Sequence, residues 1–262
     1  MGVMMTAPAG NIAMLDILTT DDGPVRVIRM NRPEKKNALT LAMYDAMAEA
    51  IEKAAGVASL RCIVIAGHES AFCAGNDLND FVAMAQGGGG LGEPILRFLH
   101  ALARCDMPLV AAVNGAAVGV GTTLLLHCDQ VIAGESASFS TPFVGLGLVP
   151  EAASSLIAPR LMGHARAFSL LVMGKRLSAT EAKEAGIVNA VVPPASVDEE
   201  ALIYARAIAA LPAEGVWIAR RLMRGAPDDI VARIDEEADA FKARLGSAEA
   251  QAAFAAFFNR KR

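Results

Sequence analysis

Aromatic side chains supply only 5% of this 262-residue chain, although 54% of its residues are hydrophobic. The core must therefore be aliphatic, built from Ala, Val, Leu, Ile and Met, which suits close helix–sheet and helix–helix packing. Charge is also sparse, with 20% Asp, Glu, Lys and Arg and a formal net charge of -4. No long run of Lys or Arg occurs. That weighs against a general nucleic-acid surface, whose affinity comes from clustered cations. Cys62, Cys73, Cys105 and Cys128 lie far apart and form no C-x-x-C pair. Such spacing argues against a zinc site and a disulfide scaffold, and it fits a reducing compartment. No apolar stretch is long and uninterrupted enough to span a bilayer. Met1–Thr6 formally matches a myristoylation pattern, but it reads as a disordered start without the positive region of a cleavable signal. The cytoplasm is the expected location.

The usual nucleophile patterns are missing as well. There is no Gly-x-Ser-x-Gly elbow, no His-Glu-x-x-His, and no Gly-x-Gly-x-x-Gly after a strand with an acid downstream. The glycine-rich stretch Gln86–Gly92 lacks the Lys-Ser/Thr ending of a phosphate cradle and reads as a flexible loop. His68, His100, His127 and His164 have no obvious partner, and His127, in an apolar helix, reads as a core or interface residue. A site without a Ser/His pair, metal or cofactor must rely on carboxylates and backbone dipoles.

What is present reads as mixed strands and helices followed by helices alone. Ile12–Leu18 and Val25–Met30 suggest a hairpin around Asp21-Asp22-Gly23-Pro24. Thr40 caps a helix over Leu41–Ala55, and Arg61–Ala66 and Leu109–Val113 are buried strands. A helix over Pro94–Cys105, an apolar helix over Thr122–His127, and short strands at Val131–Ala133 and Ser138–Ser140 follow. From Ala152 the pattern is almost entirely helical, in segments 152–162, 164–173, 178–185, 198–211, 213–224, 228–244 and 247–259. The expected organisation is an α/β core over 1–195 and a helical region over 196–262.

Two glycine-bearing strand-to-helix turns stand out, Phe72–Leu78 and Asn114–Gly121. Each can present free backbone N–H groups at a helix start, where the dipole favours negative charge. Facing one another they would make an oxyanion hole; taken singly, each is also an ordinary tight turn with glycines for packing. Glu151 is a lone acid after the uncharged run Phe143–Pro150. In apolar surroundings its pKa would rise toward that of a general base near neutral pH. In the first turn of a helix starting near Ala152 it would simply complement the dipole. The residues by themselves leave both readings open.

At these motifs the chain resembles the enoyl-CoA hydratase/isomerase (crotonase) family. The ordered pieces are Asn31–Leu39, Phe72–Leu78, Pro108–Gly115, Cys128–Ala133, Ala182–Val188 and the C-terminal Ala256–Arg262. The resemblance covers nearly the whole chain. It implies a spiral of β-β-α units with a helical C-terminal trimerisation region, in trimers or hexamers. It also implies an acyl-CoA thioester oxygen held by the backbone N–H groups of Asn76 and Val120, the second position being often glycine in the family. CoA is expected along Lys36, Ala38, Ala74, Asp77 and Leu78, with Lys261 reaching a phosphate. Phe143 is expected against the substrate. No metal and no separate cofactor are expected, coenzyme A being part of the substrate, and neither a nucleic acid nor a membrane is an expected partner.

Departures from the family pattern sharpen the expectation. Hydratases use two glutamates to activate water, and by alignment those positions hold Thr123 and Phe143 here. The segment Thr141–Ser155 resembles instead the branch that converts 3-enoyl-CoA to 2-enoyl-CoA, whose single catalytic glutamate falls at Glu151. That branch often has Gly next, where this chain has Ala152. The alternatives are another CoA-ester reaction (hydrolysis, decarboxylation or weak hydration) or a catalytically silent acyl-CoA-binding protein.

Overall fold

The computed structural model describes residues 16–77, 80 and 90–259. Met1–Thr6, Leu78, Lys261 and most of Gln86–Gly92 lie outside them. The hairpin consists of β1 (Ile17–Asp22) and β2 (Val25–Met30). Ile12–Leu15 of the expected first strand lie outside the described residues; the strand runs on past Leu18, so both aspartates belong to it. Asp22 pairs with Val25, leaving Gly23 (φ 58) and Pro24 as the loop. Arg26 grips Asp21 across the hairpin at 2.8 Å, so the acid is satisfied as a cross-strand partner.

Helix α1 (Leu41–Ala54) begins where its cap dictates. Thr40 Oγ1 accepts the Met43 N–H at 3.2 Å, filling one of the amides that a helix start leaves orphaned. After it the chain repeats one plan three times: β3 (Cys62–Ala66) then β4 (Ala71–Cys73), β5 (Leu109–Val113) then β6 (Ala116–Val118), β7 (Gln130–Gly134) then β8 (Ser138–Ser140). The first strand of each pair enters a large sheet of order β1-β2-β3-β5-β7-β10, and the second a small sheet of order β4-β6-β8-β9. Here β9 is Leu177–Ser178 and β10 is Ala190–Val192. Successive rungs are parallel in both sheets. This is the expected crotonase-like α/β spiral. Strands β4, β6, β9 and β10 escaped the sequence pattern, although the equally short β8 did not, because two or three residues give alternation little room to show.

Helices α2 (Glu93–Arg104) and α3 (Val120–Thr123) belong to the spiral. The C-terminal part contributes α4 (Ser154–Met162), α5 (His164–Leu171), α6 (Ala179–Glu184), α7 (Val197–Ala209), α8 (Ala213–Arg224), α9 (Pro227–Leu245) and α10 (Ala248–Asn259). The large sheet is apolar on both faces, as parallel sheets are. Ile63, Ile65, Leu109 and Ala111 face the main core with Phe72, Ala117 and Phe139. Cys62, Val64, Val110 and Ile132 face Val197, Ala201 and Ala205 of α7. Helix α9 packs along α2, and α10 lies against the 3-10 turn Val144–Leu146. The C-terminal helices therefore back the segment that carries Glu151.

Candidate active site

The two glycine turns touch. A Cβ on Gly75 (φ +94) would lie 3.1 Å from the Val118 carbonyl oxygen, and one on Gly121 only 2.7 Å from that of Cys73. Strand pairing aligns them, since β4 runs beside β6 with Ala71 opposite Ala116 and Cys73 opposite Ala117. The first turn is stapled from below by the Arg32–Leu39 segment. Buried Asn37 donates to the carbonyls of Ala71 and Phe72 at 3.0 and 3.1 Å. Ala74 N–H donates to Lys36 O at 3.0 Å, which places Lys36, Ala38 and Ala74 together. Arg32 bonds both Ala38 O and the Asp77 carboxylate, at 2.9 and 2.8 Å. Asp77, expected at the CoA site, thus has a structural ion pair as well. Sequence reading passed over Arg32 and Asn37 as staples because nothing local marks a contact made some forty residues away.

Neighbouring bonds constrain the backbone amides of Asn76 and Val120. Leu39 takes both Gly75 O and Asp77 N–H in its bridge with Asn76, so the Asn76 amide points the other way. Val120 is the first residue of α3, where an amide has no carbonyl partner within the helix. The helix starts two residues before the position that the apolar pattern gives, and this puts Val120 at its positive end. Tyr44, buried on α1, donates to Asn76 Oδ1 at 2.6 Å. Phe143 is buried beside the second turn, its ring edge 3.9 Å from where a Cβ on Gly119 would stand.

Glu151 lies behind the second turn and is only 3% exposed. Its carboxylate accepts the Thr123 hydroxyl from the end of α3. Burial pushes its pKa up to about 8, the Thr123 bond opposing that rise and the charge of Glu237 adding to it. Burial raises the Tyr44 hydroxyl well above its usual range, and the Glu151 charge raises it further. Burial likewise raises the Cys73 thiol to about 12, the Gly75 amide opposing and Glu151 reinforcing. Glu151 therefore acts electrostatically on Cys73 and Tyr44, which border the first turn. Glu151 is not a first-turn helix residue: Ala152 (φ 62) and Ala153 (φ 54) separate it from α4 in the left-handed region. That conformation costs an L-residue roughly 1–2 kcal/mol and is the physical reason a glycine suits position 152. His127 is buried, as its apolar helix indicates, and its Nε2 donates to Ala152 O at 2.8 Å. Burial lowers its pKa to about 4, with Arg224 and Arg220 lowering it further and the Ala152 carbonyl opposing. Thr123 and His127 are the partners that spacing alone did not reveal.

A cavity of about 830 Å³ lies elsewhere, between α1, α2 and Trp217 of α8, and includes none of these residues.

A profile described as Enoyl-CoA hydratase/isomerase matches residues 20–262. The chain belongs to the enoyl-CoA hydratase/isomerase family. Enoyl-CoA delta isomerase 2 of Rattus norvegicus is 36% identical over 250 residues, 94% of this chain and 64% of that protein. The chain thus spans a little under two thirds of that relative's length. The 1,2-epoxyphenylacetyl-CoA isomerase of Escherichia coli is 33% identical over 94% of this chain and 96% of its own. Relatives named probable enoyl-CoA hydratases match too. The crystal structure of an enoyl-CoA hydratase/isomerase from Pseudoalteromonas atlantica superposes with a TM-score of 0.88 at 39% identity, covering 94% of this chain and 98% of that one. Membership of the crotonase family, expected from the motifs, is therefore established.

Proposed function

We propose that this enoyl-CoA hydratase/isomerase family enzyme moves the double bond of 3-enoyl-CoA to give 2-enoyl-CoA, with Glu151 as its one catalytic acid–base. The observation that carries this reading is the pairing of Thr123 with Glu151. At one position where hydratases hold a glutamate stands a hydroxyl bonded to Glu151, and at the other stands buried Phe143.

Glu151, as carboxylate, takes a proton from C2 of the bound 3-enoyl thioester. The C–H electron pair moves into an enolate, whose oxygen charge is met by the Asn76 and Val120 N–H groups. Each such donor is worth on the order of 10²–10³ in rate. The double bond then shifts as the enolate collapses, and the protonated Glu151 returns its proton at C4. Carboxylate and thioester are both regenerated, and no water is consumed. One base serves both carbons because they lie on one face of a short allylic unit. A group with a pKa of about 8 suits both directions of transfer near neutral pH.

CoA lies along Lys36, Ala38 and Ala74 in this reading, with coenzyme A entering as part of the substrate and no separate cofactor. Assembly into trimers, alone or in pairs, is supported by the apolar face of α8, where Leu222 and Met223 are 80% and 82% exposed and Trp217 and Ile218 lie beside them. An exposed patch of this kind marks an interface. The name of the Escherichia coli relative makes an epoxide-bearing acyl-CoA the second substrate to try, since its isomerisation can use the same base and oxyanion pair.

The test is a panel of 3-enoyl-CoA, 2-enoyl-CoA in water and an epoxyacyl-CoA, with purified protein. Turnover of the first at least about tenfold faster than hydration of the second is expected. Hydration as the fastest reaction, or binding of all three with no turnover, contradicts the assignment.

A further inference from the structure

Helix α4 begins without a cap of its own. Its N-cap residue is Ala153, in the left-handed region, with no side chain able to accept an amide. A buried amide left unpaired costs about 1–3 kcal/mol. The missing acceptor arrives from 82 residues further along the chain, where Glu237 of α9 takes the Ser155 N–H on Oε1 at 2.9 Å. Arg233, one turn earlier on α9, donates to Ser155 Oγ at 3.3 Å. Glu237 is buried, and its Oε2 has no hydrogen-bond partner among the described residues.

A glutamine could supply the same acceptor without the cost of a buried charge. Capping alone does not require the charge, and the position of Glu237 gives the cap a further role. The turn it secures is the strained Ala152–Ala153 pair that follows directly on Glu151. His127 holds that turn from the other side through Ala152 O, and the Ser154 N–H closes it on Glu151 O at 3.1 Å.

We propose that Glu237 is a positioning residue for Glu151, fixing the Ala152–Ala153 turn through the Ser155 N–H so that the catalytic carboxyl stays aimed at the substrate carbons. The inference rests on the isomerase reading above. The groups facing Glu151 are the Thr123 hydroxyl from α3, Tyr44 from α1, Cys73 from β4 and Glu237 from α9. Those facing Glu237 are Ser155, the Ala153 amide, Arg233 and Glu151. Thr123 lowers the Glu151 pKa and Glu237 raises it. Removing the Glu237 charge therefore moves the protonation of Glu151 to lower pH.

Two variants separate positioning from bulk stability. Glu237→Gln keeps an acceptor for Ser155 and removes the charge. Glu237→Met keeps volume and removes both. With 3-enoyl-CoA, Glu237→Gln should retain at least about a third of kcat while the acidic limb of the pH profile moves to lower pH. Glu237→Met should lose about 100-fold in kcat with KM within about threefold, the size expected when a reacting group is misplaced by about 1 Å. Either an unmoved limb in Glu237→Gln, or a folded Glu237→Met with kcat within threefold of wild type, overturns the proposal. If Glu237→Met shows no cooperative melt, the limb in Glu237→Gln decides alone. Absence of 3-enoyl-CoA turnover in the wild type would instead overturn the underlying isomerase reading, and so the two failures are distinct.

Discussion

The Thr123 hydroxyl donates to the Glu151 carboxylate, joining the last residue of α3 to an acid 28 positions later. Val120 opens the same helix, so a single rigid turn of backbone carries both a candidate oxyanion donor and the hydroxyl that holds the candidate base. Thr123→Val removes the hydroxyl at constant volume. A hydrogen bond to a charged group is worth about 1.5–3 kcal/mol, and its loss raises the Glu151 pKa further. The acidic limb of activity should move to higher pH and kcat near neutrality should fall by about tenfold or more. Thr123→Ser should restore both. A pH profile of the double-bond shift for the three proteins measures this.

The pKa of Glu151, raised from 4.5 to about 8, also fixes how stability depends on pH. Between those values the folded state holds a proton that the unfolded state has released, so stability falls as pH rises, by at most about 1.4 kcal/mol per pH unit for one group. His127, lowered from 6.5 to about 4, acts in the opposite sense, and its stabilisation is lost as pH falls through that window. The two effects oppose each other below pH 6.5 and leave Glu151 unopposed above it. Wild-type Tm should therefore drop from pH 6.5 to 8 by more than that of Glu151→Gln. Thermal melts of both proteins at the two pH values give the comparison, and equal drops would remove the buried proton from the account.

Gly121 lets α3 lie against β4, and Ala at this position would place its methyl 2.7 Å from Cys73 O and 2.8 Å from Cys73 Cβ. Within a helix, Gly→Ala normally stabilises by about 1 kcal/mol, so any loss reports the broken contact. Gly121→Ala should lower Tm and cut kcat by about 10²-fold as the Val120 amide leaves the oxyanion position. Gly145→Ala, where nothing stands within 4 Å, should behave as wild type.

The Tyr44 hydroxyl donates to the side-chain oxygen of Asn76 at 2.6 Å, and the backbone amide proposed to hold the thioester oxygen belongs to the same residue. Tyr44→Phe should reduce kcat by about threefold to tenfold, less than the loss of a whole donor, with KM nearly unchanged. Steady-state kinetics on 3-enoyl-CoA distinguish this from a binding defect.

Much of this architecture was legible in the residue order. Thr40 announced α1, the apolar runs Cys62–Ala66 and Leu109–Val113 announced buried strands, and the lone acid after Phe143–Pro150 offered two readings, of which burial selects the raised pKa. The three-residue strands β4 and β6 were not legible, because pairing between rungs forms them, not any local preference. The first strand runs further than the turn residues suggest for a related reason, since Arg26 and Arg206 pair with Asp21 and Asp22 and make them acceptable in a strand. Around the site, Thr123, His127 and Glu237 act on Glu151 and its turn across 28, 25 and 82 positions. No spacing rule reaches so far. Ala152 read as a departure from a glycine, and its positive φ shows what that glycine would relieve.

The central claim is that one buried carboxyl carries the proton between C2 and C4. Glu151→Gln keeps the shape and the Thr123 contact while removing the base, so it should bind a CoA ester with near-normal affinity. Conversion of 3-enoyl-CoA to 2-enoyl-CoA, followed by absorbance of the conjugated thioester, should fall by at least about 10³-fold, within the range of general acid–base losses. A variant that still isomerises 3-enoyl-CoA within tenfold of wild type would contradict the account.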